Sequence, residues 1–335
     1  MKMKPLTCEM CGSNDVIKQE GLFVCQICGT KYSVEEARKM MIEGPVDVSG
    51  STVKIDNSKT VENYINIAQS SYNVKNYAEA EAYCNKALEN DLENYVAWAL
   101  KGKAAGWQST PVFPRIEEST KCFMKAIDYA PDEMVLSYKS LLSEEICWIT
   151  TSVVSMSCNN FINNPCTENA NIIINLARSS ITNSAQLFAI CKVDASEYNV
   201  SIASLLDNAV TNAWSGIVNR YHGMNRYPNR WALQTFQTDC YNCMMLKKNA
   251  IEIDMNTTAN SVKRYQTLIW LSKQMVRAGC WKYTNTWEVD DYPSDEWREK
   301  YIDLIMIYHE KIKEIDPDYQ IPKRPKIRQI IKDEV

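Results

Sequence analysis

Four cysteines stand in two pairs, Cys8-Glu-Met-Cys11 and Cys25-Gln-Ile-Cys28, each followed directly by a glycine. Two CxxC pairs thirteen residues apart can place four thiolates at the corners of a tetrahedron, the arrangement that structural Zn²⁺ takes. Gly12 and Gly29 permit the tight turn that aims backbone N–H groups at the sulfurs. Four sulfur ligands leave the metal no open position. One Zn²⁺ held by Cys8, Cys11, Cys25 and Cys28 is therefore expected to fold its segment rather than to catalyse. Two disulfides, or thiols without metal, are the alternative reading of the same spacing.

Other residues with chemical potential are less concentrated. Cys240-Tyr-Asn-Cys243 is a third CxxC, and on a helix its sulfurs share a face. Cys280 or His222 is placed to complete a second metal site with them, whereas the plainer reading is that these cysteines are small buried apolar residues. His222 and His309 are the only histidines, which weakens the case for a general base near neutral pH. The chain has no glycine-rich phosphate loop, nucleophile elbow or HExxH helix. Arg220-Tyr-His-Gly-Met-Asn-Arg-Tyr-Pro-Asn-Arg230 is the most polar and aromatic loop; its arginines either grip an anion or pair with neighbouring acids. Most of the nine tryptophans follow residue 200 and are expected to fill core between helices. Lys323-Arg-Pro-Lys-Ile-Arg328 reads as a solvated basic tail or as a contact for nucleic acid or an acidic partner.

Composition narrows the classes. Over 335 residues, 37 Lys and Arg against 41 Asp and Glu give a net charge of −4, against a nucleic-acid binder whose whole surface is electropositive. Residues 1–40 are also near neutral before metal is counted, so the cysteine-bearing segment is expected to contact protein or to act structurally. The cysteines beyond the first four are odd in number and irregularly spaced, unlike a secreted disulfide framework. The N-terminus shows no signal-peptide core, and no apolar run reaches membrane-spanning length. A cytoplasmic protein with no membrane partner is the expectation.

Following the chain onward from the first cysteines, Val16–Glu20 and Leu22–Val24 flank Gly21 as a hairpin would. Together with the paired cysteines this stretch resembles a zinc ribbon. Ser33-Val-Glu-Glu36 has capping-box spacing and opens a short helix that stops at Gly44-Pro45. Residues 1–44 are thus expected to form a ribbon plus helix, and 45–58 a linker or small hairpin.

From Asn57 the apolar residues recur at helical period, and an internal repeat emerges. Tyr64, Ile67 and Ala68 share one face of a first helix, and Tyr77, Ala80, Cys84, Ala87 and Leu88 line a second. Trp98 and Gly102, then Phe123, Ala126, Ile127 and Pro131, repeat the theme. This pattern resembles tetratricopeptide repeats over residues 59–132, which implies small helix-packing positions at Ala68, Ala80, Ala87, Gly102, Ser119 and Ala126. The match departs at Cys84, where an aromatic is usual, at Leu92 in place of the closing proline, and in extra residues around 108–115. The order of ribbon, linker and repeats resembles bacterial zinc-ribbon/TPR proteins over about the first 132 residues, and this resemblance implies no activity.

Helical period continues through about 133–160, 168–192, 195–220, 230–252, 258–281 and 295–315. The fold class is therefore mostly α, with residues 133–319 a divergent α-solenoid or a separate bundle and 320–335 a basic tail. Solenoids hold peptides on the concave face lined by the first helix of each pair. Asn66, Gln69, Asn73, Lys103 and Trp107 are the candidate partner-binding residues of that groove. Ile65, Gln69 and Leu100 stand where carboxylate-clamping members of the resembled family carry Lys and Asn, so capture of a free C-terminal carboxylate is not expected. The functional expectation is a scaffold for a partner protein or peptide and not an enzyme. A nucleic-acid-associated regulator using ribbon and tail, or an enzyme with a site in the second half, are the alternatives.

Overall fold

A computed structural model describes residues 6–19, 21–40, 58–223, 230–255, 257–283, 286–289 and 293–332. The chain divides into two units, Met1–Asp56 and Asn57–Val335. In the first, β1 (Val16–Gln19), β2 (Leu22–Cys25) and β3 (Lys31–Tyr32) form an antiparallel sheet in the order β1-β2-β3. Gly21 makes the first turn with φ at +84°, a conformation that favours glycine. Helix α1 (Val34–Met40) starts at the capping box: the Ser33 N–H donates to Glu36 Oε2 at 2.7 Å, and the Glu36 N–H donates to Ser33 Oγ at 3.2 Å. Cys8, Cys25 and Tyr32 are the buried centre of this unit, with Val16, Phe23 and Met40 against them. With the buried Ala37 of α1 these residues make a very small core, of the size that a metal normally supplements.

The second unit is a run of helices: α2 (Ser58–Asn73), α3 (Tyr77–Asn90), α4 (Tyr95–Trp107), α5 (Ile116–Tyr129), α6 (Asp132–Asn163), α7 (Thr167–Cys191), α8 (Ser196–Gly223), α9 (Arg230–Ile253), α10 (Thr258–Arg277) and α11 (Asp295–Ile315). Short connections carry their own start signals. Asn76 and Asn94 accept the N–H groups of Glu79 and Ala97 at the heads of α3 and α4, and Ser294 accepts that of Trp297 at the head of α11. The extensive contacts all join helices that are consecutive or two apart in the chain, such as α2 with α3 and α4, or α6 with α7 and α8. This neighbour-to-neighbour order is compatible with a stack of helical hairpins.

Small residues set the close approaches. Ala68, Ala80, Cys84 and Ala87 are wholly buried between α2, α3 and α4. At Gly102 of α4 an added Cβ would lie 2.6 Å from the Phe123 ring of α5. Trp98, expected mostly buried, is half-buried and donates its indole N–H to the Leu92 carbonyl at 2.8 Å, while Phe123 is fully buried.

Two parts of the second half differ from expectation. The apolar period predicts helix to residue 281, but α10 ends at Arg277, and β4 (Cys280–Tyr283) pairs with β5 (Thr286–Val289) in a hairpin. Gly279, at φ +82°, breaks the helix. The basic tail is not simply solvated: α12 (Ile327–Lys332) buries Ile330 and Ile331 and contacts α10 and α11. Arg277 donates to the Ile330 carbonyl at 2.9 Å, and Arg324 pairs with Glu299 and Asp303.

A buried ionic network ties α8, α9 and α10 together. Arg264, 3% exposed, donates to Asp207 and Asp254 at 2.8 Å each, and Lys247 reaches Asp207 at 2.8 Å. Asp254 is 1% exposed and also accepts from Asn260. Two cations thus face two carboxylates, the condition under which buried charge is tolerated.

Candidate metal centre

The two cysteine pairs adopt the same local geometry. The Gly12 N–H donates to the Cys8 carbonyl at 2.8 Å and the Gly29 N–H to that of Cys25 at 2.9 Å, closing matched turns with φ of +72° and +73° at the glycines. The Cys8 N–H bonds Ser13 and the Cys25 N–H bonds Thr30 at corresponding positions. The sheet then sets one turn over the other. All four sulfurs lie within 4.8 Å of one another, with Cys8–Cys28 at 3.5 Å and Cys11–Cys25 at 3.6 Å. None of the four is in a disulfide. A tetrahedron with metal–sulfur bonds of about 2.3 Å has edges of about 3.8 Å, so the donor set fits a tetrahedral thiolate site.

Polar groups around the sulfurs complete the centre. Tyr32 Oη lies 3.1 Å from Cys8 Sγ and accepts the Glu9 N–H at 3.1 Å; Thr30 Oγ1 lies 3.1 Å from Cys28 Sγ. The Tyr32 hydroxyl, foremost, holds the Cys8 thiol down to about 6, and Thr30 lowers that of Cys28. Cys11 is pushed up to about 12: the Ser13 amide works to lower it, but the neighbouring thiols and burial prevail. Four thiols so close compete for negative charge, and a divalent cation removes the competition by stabilising all four thiolates.

The groove residues divide into two groups. Asn66, Gln69 and Asn73 are exposed along α2, where Gln69 donates to Asn73 at 2.9 Å. Lys103 and Trp107 on α4 are engaged instead. The Trp107 indole N–H donates to Glu145 Oε1 at 2.7 Å, Lys103 lies 3.4 Å from Glu145 Oε2, and the Tyr72 hydroxyl donates to the same carboxylate at 3.3 Å. Glu145, from α6, thus gathers α2, α4 and α6 around one half-buried charge. Its position opposite Trp107 had no signal in the sequence, because nothing local links residues so far apart in the chain.

Cys240 and Cys243 are completely buried, and burial raises both thiols, Cys243 to about 12. Among the described residues only the first four cysteines group closely enough to hold a metal; the His222 side chain and Arg226 lie outside them. Arg220 pairs with the nearly buried Asp239 at 2.9 Å. Trp214 meets Trp270 with ring centroids 4.6 Å apart, inside the helical core, whereas Trp148 and Trp231 are exposed. No described helix is long and apolar enough to cross a membrane. No protein-family model matches the chain, and neither does any curated protein.

Proposed function

We propose that the chain is an interaction scaffold: a zinc-ribbon module joined to a tetratricopeptide-like solenoid that holds a partner protein on its helical surface. The observation that supports this reading is that the extensive contacts join helices consecutive or two apart in the chain, as repeat arrays do, and such arrays line a common face with the first helix of each pair. Asn66, Gln69 and Asn73 are exposed on α2 and carry amides suited to an extended backbone. The metal in this reading is one structural Zn²⁺ on Cys8, Cys11, Cys25 and Cys28, favoured by an all-sulfur tetrahedral set and by the small core beside it.

Elemental analysis of the purified chain tests the metal: about one equivalent of zinc is expected. Cys25→Ser is expected to release it and to abolish hydrogen-exchange protection in residues 6–40. A chain that retains that protection without any metal refutes the assignment. For the scaffold, arginine at Asn66, Gln69 and Asn73 in the full chain is expected to lower the affinity for a captured partner at least tenfold. Unchanged capture by the folded triple variant would remove the α2 face from the interaction.

A further inference from the structure

Helix α6 is much longer than the helices before it. On the strip that carries Glu145, Leu141 and Trp148 lie two turns apart, and Met156 follows two turns later. All three apolar side chains are exposed, by 45%, 66% and 42%. Trp148 also forms one wall of a cleft of about 310 Å³ between α6 and the start of α8, lined by Cys147, Thr151, Val193, Asp194, Glu197, Tyr198 and Ser201. The cleft is open to solvent, and its volume lies at the lower end of the range for ligand pockets.

The walls of this cleft have a defined chemistry. Trp148 and Val193 are open to solvent, and the buried Tyr198 completes an apolar floor. Asp194 and Glu197 are the charged residues of the lining, and no lysine or arginine is among them. One oxygen of Asp194 is used by the backbone N–H and hydroxyl of Ser196, at 2.9 and 2.7 Å. Glu197 and the nearby Glu144, which stands one turn from Cys147 on α6, are exposed. An indole face beside carboxylates attracts a cation carried on an apolar stem. A free amine would fill the cleft but leave Leu141 and Met156 in water; a peptide covers them as well.

We infer that this cleft receives an arginine or lysine side chain of a partner protein, whose flanking apolar residues lie along Leu141, Trp148 and Met156. The inference rests on the scaffold reading and names the partner chemistry for one part of its surface: a basic, amphipathic segment. The cation sits between the Trp148 face and Glu197, and the strip on α6 supplies apolar area.

The test uses the full chain and a twelve-residue amphipathic peptide with three arginines and three leucines, titrated by fluorescence polarisation. Counterparts are the same peptide with glutamine for arginine, and spermidine as competitor. Binding is expected to weaken at least tenfold for the glutamine peptide, and at least fivefold for Trp148→Ala and for Glu197→Gln. Glu310→Gln, an exposed charge on α11, is expected to leave it unchanged. Because Trp148 and Glu197 are exposed, both variants are expected to keep the wild-type melting curve, and Glu144→Gln gives a third readout. Undetectable binding, equal binding of the two peptides, equal loss at Glu310, or displacement by spermidine as effective as by peptide would each overturn the inference. If those results accompany a captured partner that depends on Asn66, Gln69 and Asn73, the scaffold reading stands and this site falls. If a captured partner does not depend on Asn66, Gln69 and Asn73 while the arginine peptide binds as described, the α2 face leaves the interaction and this site stands.

Discussion

Tyr32 is the residue through which the sheet reaches the cysteines, since its hydroxyl touches the Cys8 sulfur and the Glu9 amide together. A hydroxyl bonded to a ligating sulfur stabilises the thiolate and fixes its direction, and such outer partners are worth about 10–100-fold in metal affinity. Tyr32→Phe is therefore expected to weaken binding of the proposed Zn²⁺ by about tenfold, measured by competition with a chromophoric chelator, while leaving the stoichiometry intact. Asp239 illustrates the opposite use of burial. Removal from water, foremost, raises its carboxyl to about 6, with Arg220 opposing that rise. The folded state then holds a proton that the unfolded state has released between about pH 4 and 6, so the contribution of Asp239 to stability declines as pH rises through that window. Asp239→Asn is expected to flatten this decline in urea-denaturation midpoints measured from pH 4 to pH 8, and to match wild type most closely at the acidic end.

At the scale of elements, two glycines in helices of similar setting give opposite forecasts. Gly102 faces the buried Phe123 ring, 2.6 Å from where a Cβ would stand, whereas nothing lies within 4 Å of the corresponding point at Gly216. Gly216→Ala is expected to stabilise the chain by about 0.5–1 kcal/mol through helix propensity alone. Gly102→Ala gains the same propensity but forces a rigid ring to move, at a cost of about 1–3 kcal/mol, so a net loss is expected in the same denaturation measurement. The helices themselves were legible because apolar residues recur at helical period; the caps at Asn76, Asn94 and Ser294 are what the structure adds at the heads of α3, α4 and α11. The cysteine cluster was legible because all four donors lie within a short stretch whose spacing determines the geometry. The β4–β5 hairpin was not, since Cys280-Trp-Lys-Tyr continues the apolar rhythm of α10 and short runs read equally as helix or strand. Burial of Ile330 and Ile331 was masked by the basic residues around them. The cleft beside Trp148 was equally hidden, because it joins side chains of α6 and α8 whose proximity follows only from stacking.

For the helical unit as a whole, the extensive contacts join helices that are consecutive or two apart, which makes stability largely a sum of local terms. The network of Asp207, Lys247, Arg264 and Asp254 is one such term, and it belongs to α8, α9 and α10. Arg264→Met would leave Asp254 buried without its cation and Asp207 with Lys247 alone. Breaking a buried pair costs about 3–5 kcal/mol, so amide exchange in α8–α10 is expected to accelerate strongly while that in α2–α5 changes little. A uniform acceleration throughout residues 58–332 would mean that the unit opens as one cooperative body.

Glu145 carries a consequence for which ligands the shared face admits. Tyr72, Lys103 and Trp107 form a ready-made receptor for a carboxylate, and the chain supplies the occupant itself. An acidic tail arriving from solution would have to displace a rival that is tethered to the same molecule and never diffuses away. Tethering of this kind acts as an effective concentration of the order of millimolar or more, so ordinary acidic peptides lose the contest. In the scaffold reading proposed above, that face would discriminate against one charge class of visitor by keeping the place taken, a selectivity through occupancy.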